Sequence, residues 1–357
     1  MKLFSCDRCH NLAYFDNARC THCGATLGFL PSALRLAAIE PHGDYWQVQG
    51  DSTGTLWRQC RHYRDLGICN WMVRADDDDE FCLACRLNRT IPDLSVEGNL
   101  NLWQKLEQEK RRLVYSLLRL NLPLEPQQTS ASGLAFDFLA DTAPPFEEQG
   151  RVLTGHAEGV ITINIAEADP VIRAQMRNEM AEPYRTVLGH FRHESGHYYW
   201  DRLIRDSEQL DAWRGLFGDE RADYAKALET HYRQGPTPDW RQDFISAYAA
   251  SHPWEDWAET WAHYLLMVDT LETAHQFGLS TRPKTGLDSS LDLDARLDAY
   301  AEPEFSRLFD HWVALAITLN SLNRSMGHEH AYPFVLNKRV LDKLAFVHQL
   351  VRQPSSA

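Results

Sequence analysis

The chain of 357 residues has no cysteine after Cys85, no long hydrophobic run and no excess of basic residues. Each absence removes a class of protein. All eight cysteines fall in the first quarter, so a disulfide framework stapling the whole chain is excluded. The longest apolar stretch toward the end, 312–319, is far shorter than the ~20 residues of a membrane-spanning helix. With 36 Lys+Arg against 50 Asp+Glu the formal charge is −14, which argues against nucleic acid or an anionic membrane as the main partner. Met1-Lys2-Leu3-Phe4-Ser5-Cys6 shows none of the organisation of a secretory leader, so the expected location is the cytoplasm, where thiols stay reduced.

A hydrophobic content of 44% is enough for a sizeable core, and the length suits two units. The expected class is α+β. Residues 1–95 should form a cysteine-rich region with small β elements, and 96–150 a linking helix (100–120) with a loop-rich connector. Residues 151–350 should form a mainly helical domain with a small hairpin, 151–156 and 160–165 flanking Ala157-Glu158-Gly159. Seven of the eleven tryptophans lie from Trp200 onward and point to an aromatic core there. Phe136–Leu139 should be buried; 281–290 should be a loop, 354–357 a frayed tail, and Pro144 and Pro145 punctuate the connector.

Cys6-x2-Cys9-x10-Cys20-x2-Cys23 is two CxxC knuckles joined by a short span, the spacing of a zinc ribbon in which four thiolates hold one tetrahedral ion. Cys60-x8-Cys69-x12-Cys82-x2-Cys85 offers a second four-sulfur site, with His62 as a spare ligand. Iron is the alternative occupant of either. Both sites should supply folding energy that a small region lacks. Residues 1–95 carry ten Lys/Arg against twelve Asp/Glu, no footprint for a phosphate backbone, so a partner for this region would be a protein.

His193-Glu194-Ser195-Gly196-His197 reads HExxH within a segment that should be one helix, from Pro183 to about Ile204. Residues four apart sit about 40° apart around a helix, so both imidazoles leave one face at the spacing that grips one zinc ion. Glu194 lies about 100° round, where a carboxylate can take a proton from metal-bound water. Thr186, Gly189, His193, Gly196, His197, Trp200 and Ile204 share the inward stripe, and the two glycines admit a close neighbour.

A catalytic zinc needs a third protein ligand and an open fourth position. The arrangement with glycine at 200 and histidine at 203 is excluded by Trp200 and Leu203. A later helix can supply a glutamate instead. Ser251 and Pro253 mark such a start and Gly278 a stop. Trp254, Trp257, Ala258, Trp261 and Leu265 make its apolar stripe, with Glu255 and Glu259 on the flank and Asp256, Thr260 and His263 facing away. Glu255 is assigned as third ligand, and Glu259 as acceptor of a ligating histidine's N–H. The reverse pairing is possible, and Asp219 or Glu220 is the rival. Tyr248, seven residues earlier, could donate to an oxyanion over the metal. His190 and His263 read as supporting residues.

These motifs resemble those of bacterial zinc-ribbon proteins classed as zinc-binding metallopeptidases. The resemblance rests on Cys6/Cys9/Cys20/Cys23, on Gly189-His190-Phe191-Arg192-His193-Glu194-Ser195-Gly196-His197-Tyr198-Tyr199-Trp200, and on Pro253-Trp254-Glu255-Asp256-Trp257-Ala258-Glu259-Thr260. A Tyr followed by a Glu-x-x-Ala-Glu turn is also similar to lethal-factor-like gluzincins. The resemblance implies a zinc-ribbon region ahead of a zincin-like peptidase domain.

Two functions follow as expectations. One is a zinc peptidase acting on a peptide or protein, with one catalytic and two structural zinc ions. The other is a non-enzymatic adaptor with a dormant HExxH site. A zinc hydrolase acting on a non-peptide amide is a third.

Overall fold

The computed structural model describes residues 2–141, 152–179, 186–284, 291–294 and 296–353. The chain divides into two compact units, Met1–Ala174 and Gln175–Ala357. The class is α+β, as expected. Pro144, Pro145, Pro183, residues 285–290 and the 354–357 tail lie outside the described residues.

The first unit opens with a two-stranded ribbon, β1 (Phe4–Ser5) and β2 (Leu12–Ala13). An antiparallel meander follows: β3 (Thr26–Leu30), β4 (Arg35–His42), β5 (Tyr45–Val48), β6 (Leu56–Gln59) and, after α1 (Arg61–Leu66), β7 (Met72–Arg74). Its core holds Leu30, Ala37, Ile39, Val48, Trp57 and Met72. Gly28 is required on β3, since a Cβ there would lie 2.6 Å from Met72.

A second sheet has the order β10-β11-β9-β8, from β8 (Asn88–Thr90), β9 (Ala135–Leu139), β10 (Gly155–Ala157) and β11 (Val160–Asn164). β11 and β8 both run parallel to β9, and β10 is the antiparallel edge. Between β8 and β9 the chain forms α2 (Asn99–Arg119), whose Trp103, Leu106, Leu113, Val114 and Leu117 are fully buried.

These connections differ from the division expected at 96 and 151. The helix at 100–120 is no free linker: Arg111 donates to the carbonyl of Ile68 at 2.7 Å, and Arg112 pairs with Asp16 at 2.5 Å. The hairpin expected in the helical domain is β10–β11. It pairs with β9 and so belongs to the first unit, not to the helical one.

After α3 (Pro170–Glu179), the second unit contains α4 (Val187–Leu203), α5 (Leu210–Phe217), α6 (Tyr224–Gln234), α7 (Pro253–Gln276), α8 (Phe305–Ser325) and α9 (Lys338–Leu350). α7 is its axis, packed by α4, α5, α8 and α9. Thr186 caps α4, its Oγ1 accepting from the Gly189 N–H at 2.9 Å, so the helix begins later than Pro183. α7 starts under His252, whose Nδ1 accepts from the Trp254 N–H, and Gly278 (φ +63°) turns the chain at its end. Both helices are buried on nearly all sides in their central turns. Off-stripe polar groups are therefore paired inside: Arg192 with Asp269 at 2.6 Å, and Asp256 with Lys343 of α9 at 2.6 Å. Among the described residues no helix is long and apolar enough to cross a membrane.

Candidate active site and metal centres

In the first unit the eight cysteines form two groups, each with its four sulfurs within 4.8 Å of one another. Cys6 and Cys23 are 3.7 Å apart, Cys9 and Cys20 3.6 Å, Cys69 and Cys82 3.8 Å, and Cys69 and Cys85 3.8 Å. A tetrahedral zinc with bonds of about 2.3 Å sets its sulfurs about 3.8 Å apart, so the donors fit the ion. The spacings are far too long for disulfides.

One thiol in each cluster is held low, Cys20 in the first and Cys69 in the second, while burial raises Cys6 and Cys82. N–H groups of Cys23 and His22 donate to Cys20 and bring its thiol down to about 6. Burial works against charge on Cys69, but hydrogen bonds from Cys60, Cys82 and Cys85 and the nearby Arg111 guanidinium hold it well below the usual thiol range. His62 is buried beside Cys85 and Glu107, a third donor group that shares Cys85 with the second cluster. Glu107 is itself engaged by Lys110 at 2.7 Å and Asn88 at 2.9 Å.

In the second unit, α4 and α7 cross where Gly196 meets Ala258, and the crossing faces the HExxH histidines toward the start of α7. Donor atoms of His193, His197 and Glu255 lie within 4.8 Å of one another. Glu255 Oε2 is 2.9 Å from His193 Nε2 and 3.5 Å from His197 Nε2. These values bracket the roughly 3.4 Å between neighbouring ligands of a tetrahedral zinc with bonds of about 2.0–2.2 Å, and the N,N,O set suits that ion.

On the far side of the ring, His193 Nδ1 meets Glu259 Oε1 at 2.8 Å, and Ser246 Oγ donates to Glu259 Oε2 at 2.6 Å. A carboxylate at Nδ1 fixes the tautomer that leaves Nε2 free as a ligand. Burial disfavours the charged forms of His193, Glu255 and Glu259, but their mutual bonds prevail. His193 is held well above its ordinary range, Glu255 well below, and Glu259 at about 2.

Glu194 is nearly buried on α4, close enough for its charge to act on Tyr224 and Tyr248. Tyr248 lies with its ring centroid 5.9 Å from that of His193, and burial together with the Glu255 charge keeps its phenol well above the usual range, hence a donor. Asp219 and Glu220 are elsewhere, paired with Arg221 at 2.7 Å and with Arg214. His263 bonds Tyr332 at 2.8 Å and lies in the core.

Tyr224 escaped the sequence reading. Its hydroxyl donates to Glu255 Oε1 at 2.6 Å, from a position 31 residues away with no motif around it. The sole local signal was Asp223 as a helix cap, its carboxylate accepting from the Lys226 N–H at 3.1 Å.

The sequence profile of a family described as "Putative zinc-binding metallo-peptidase" matches residues 99–350, and that of a zinc-ribbon domain matches 3–96. The chain belongs to this metallopeptidase family. Uncharacterized proteins of Mycobacterium bovis and Mycobacterium tuberculosis are 40% identical over 353 residues, covering 98% of this chain and 95% of theirs. No solved structure matches the chain. The metallopeptidase profile begins at the start of α2, ahead of the compact helical unit, so the match takes in part of the first unit as well.

Proposed function

We propose that this family member is a zinc-dependent peptidase of the gluzincin type. The observation that carries the reading is the convergence of His193, His197 and Glu255 on one point, with Glu259 behind His193 and Glu194 next to His193 along α4. Zinc held there would supply a water whose pKa falls to about 7 from about 16, so that hydroxide is available at neutral pH.

The chain's own groups do the rest. Glu194 takes the proton of the attacking water and passes it to the leaving amine. Tyr248, kept protonated by its surroundings, donates to the carbonyl oxygen as it gains charge. Glu259 holds the His193 ring in register, and Ser246 holds Glu259. The substrate is a peptide or protein. The two four-cysteine groups hold structural zinc, and the region around them is where a protein partner would dock.

Glu194→Gln tests the mechanism against a peptide library. Turnover should fall at least ~100-fold, the usual contribution of a positioned proton-transfer group. Equal turnover by the two proteins ends it. Three zinc ions, one readily chelated, should be present in both, whereas two tightly held ions would favour the non-catalytic adaptor.

A further inference from the structure

We infer that Tyr224 is a positioning residue for the third metal ligand: its hydroxyl holds Oε1 of Glu255, so that Oε2 alone is turned toward His193 and His197. The inference rests on the metal site proposed above, and on the peptidase reading only for its effect on turnover.

The two oxygens of Glu255 have separate partners. Oε2 faces the two Nε2 atoms at 2.9 and 3.5 Å, while Oε1 accepts from Tyr224 at 2.6 Å. A carboxylate anchored through one oxygen cannot rotate to bring both onto a metal. That restriction has a chemical use. A hydrolytic zinc keeps its fourth position for water, and a second carboxylate oxygen would compete for it.

The anchor is itself fixed. The Tyr224 ring packs edge-on against His252 at 5.2 Å and Trp254 at 6.0 Å, both from the first turn of α7 or its cap. Glu255 and the rings that pack against Tyr224 thus come from one short stretch, residues 252–255, and the Tyr248 hydroxyl adds a hydrogen bond to the Tyr224 oxygen. By contrast α6, which Tyr224 begins, has no buried residue, so its bond to Glu255 is no by-product of helix packing.

The test compares the zinc-loaded full chain with Tyr224→Phe, Tyr224→Leu and, on the same helix, the exposed Tyr232→Phe. One readout is the crystal structure of each zinc-loaded protein; the other is competition of the accessible zinc with a chelator. In the parent, Glu255 should give one oxygen to zinc and the other to Tyr224. In Tyr224→Phe the carboxylate should turn, and the accessible zinc should bind about 10–100-fold more weakly, with the cysteine-bound ions unaffected. Tyr224→Leu should match Tyr224→Phe within about twofold, because the hydroxyl rather than the ring is responsible, and Tyr232→Phe should match the parent. Where peptide is cleaved, kcat should fall and KM hold.

Unchanged one-oxygen coordination and unchanged zinc retention in Tyr224→Phe would overturn the inference. A parent that holds zinc but cleaves nothing defeats the peptidase reading alone, since coordination and retention still decide the role of Tyr224. A parent that holds no zinc at His193 and His197 overturns both.

Discussion

Gly196→Ala sets two known effects against each other inside the HExxH helix. Alanine is the better helix former by about 1 kcal/mol in a helix interior, so propensity alone would stabilise. The added methyl, however, would lie 3.0 Å from the Cα of Ala258 and 3.2 Å from Cβ of Trp261. Those atoms belong to backbone and to the stem of a fully buried indole, so neither can rotate away. The helices must separate by a few tenths of an ångström, and overpacking of this kind costs about 1–3 kcal/mol. The net expectation is a loss of roughly 0–2 kcal/mol. Gly196 lies between His193 and His197, so the same displacement draws the imidazoles from Glu255 and should weaken the accessible zinc by about tenfold or more. Gly215, inside α5 with nothing within 4 Å of an added Cβ, is the internal control: Gly215→Ala should show the propensity gain undiluted. Urea unfolding at fixed zinc, followed through the seven tryptophans from Trp200 onward, measures both. If Gly196→Ala stabilises as much as Gly215→Ala and keeps its zinc, the close crossing of α4 and α7 is not what sets the ligand geometry.

Lys343→Met strips the partner from Asp256, whose carboxyl burial has already raised to about 7 despite the lysine. The loss should be about 3–5 kcal/mol at pH 8 and smaller at pH 6, where the carboxyl takes up a proton; denaturant titrations at the two pH values check it. His348 is pushed down to about 4 by burial and then by Arg352, so it is neutral in the fold and stays so until well below its unfolded pKa of about 6.5. Its contribution is complete above pH 6.5 and lost as pH falls toward 4, about 2 kcal/mol between pH 7 and 5, and His348→Gln should lose that part of the pH dependence in unfolding measurements. Cys69→Ala should lower the zinc count by one and expose the first unit to limited proteolysis while the helical unit, with its own core, resists.

Much of the candidate site's geometry was legible because its determinants are local. HExxH on one helix and Glu255 and Glu259 on another each fix a face through the 3.6-residue repeat, and the ends of α7 were marked by Pro253 and Gly278. What stayed hidden depends on contacts remote in sequence. β8 and β9 pair in parallel across the 44 residues between Thr90 and Ala135, and no local pattern reports such a pairing. Tyr224 reaches Glu255 from a helix with no buried residue, which hides its inward hydroxyl from any periodicity.

The reading of α7 as one apolar stripe with a polar back shows where periodicity misleads. Asp256, Thr260 and His263 do lie opposite the stripe, yet all three are buried, and residues 332–348 return from the end of the chain to pair with Asp256 and His263. A polar residue on a helix predicts solvent only if nothing later in the sequence supplies its partner. Here Tyr332 answers His263 and Lys343 answers Asp256. The consequence reaches the proposed metal ligands. Asp256 is the neighbour of Glu255, so the segment fixing one side of that turn is α9, and the segment fixing the other is α4. A helix clamped on both faces cannot rotate to follow a displaced metal, so the packed unit sets where the Glu255 backbone stands and leaves only the turn of its carboxylate to Tyr224.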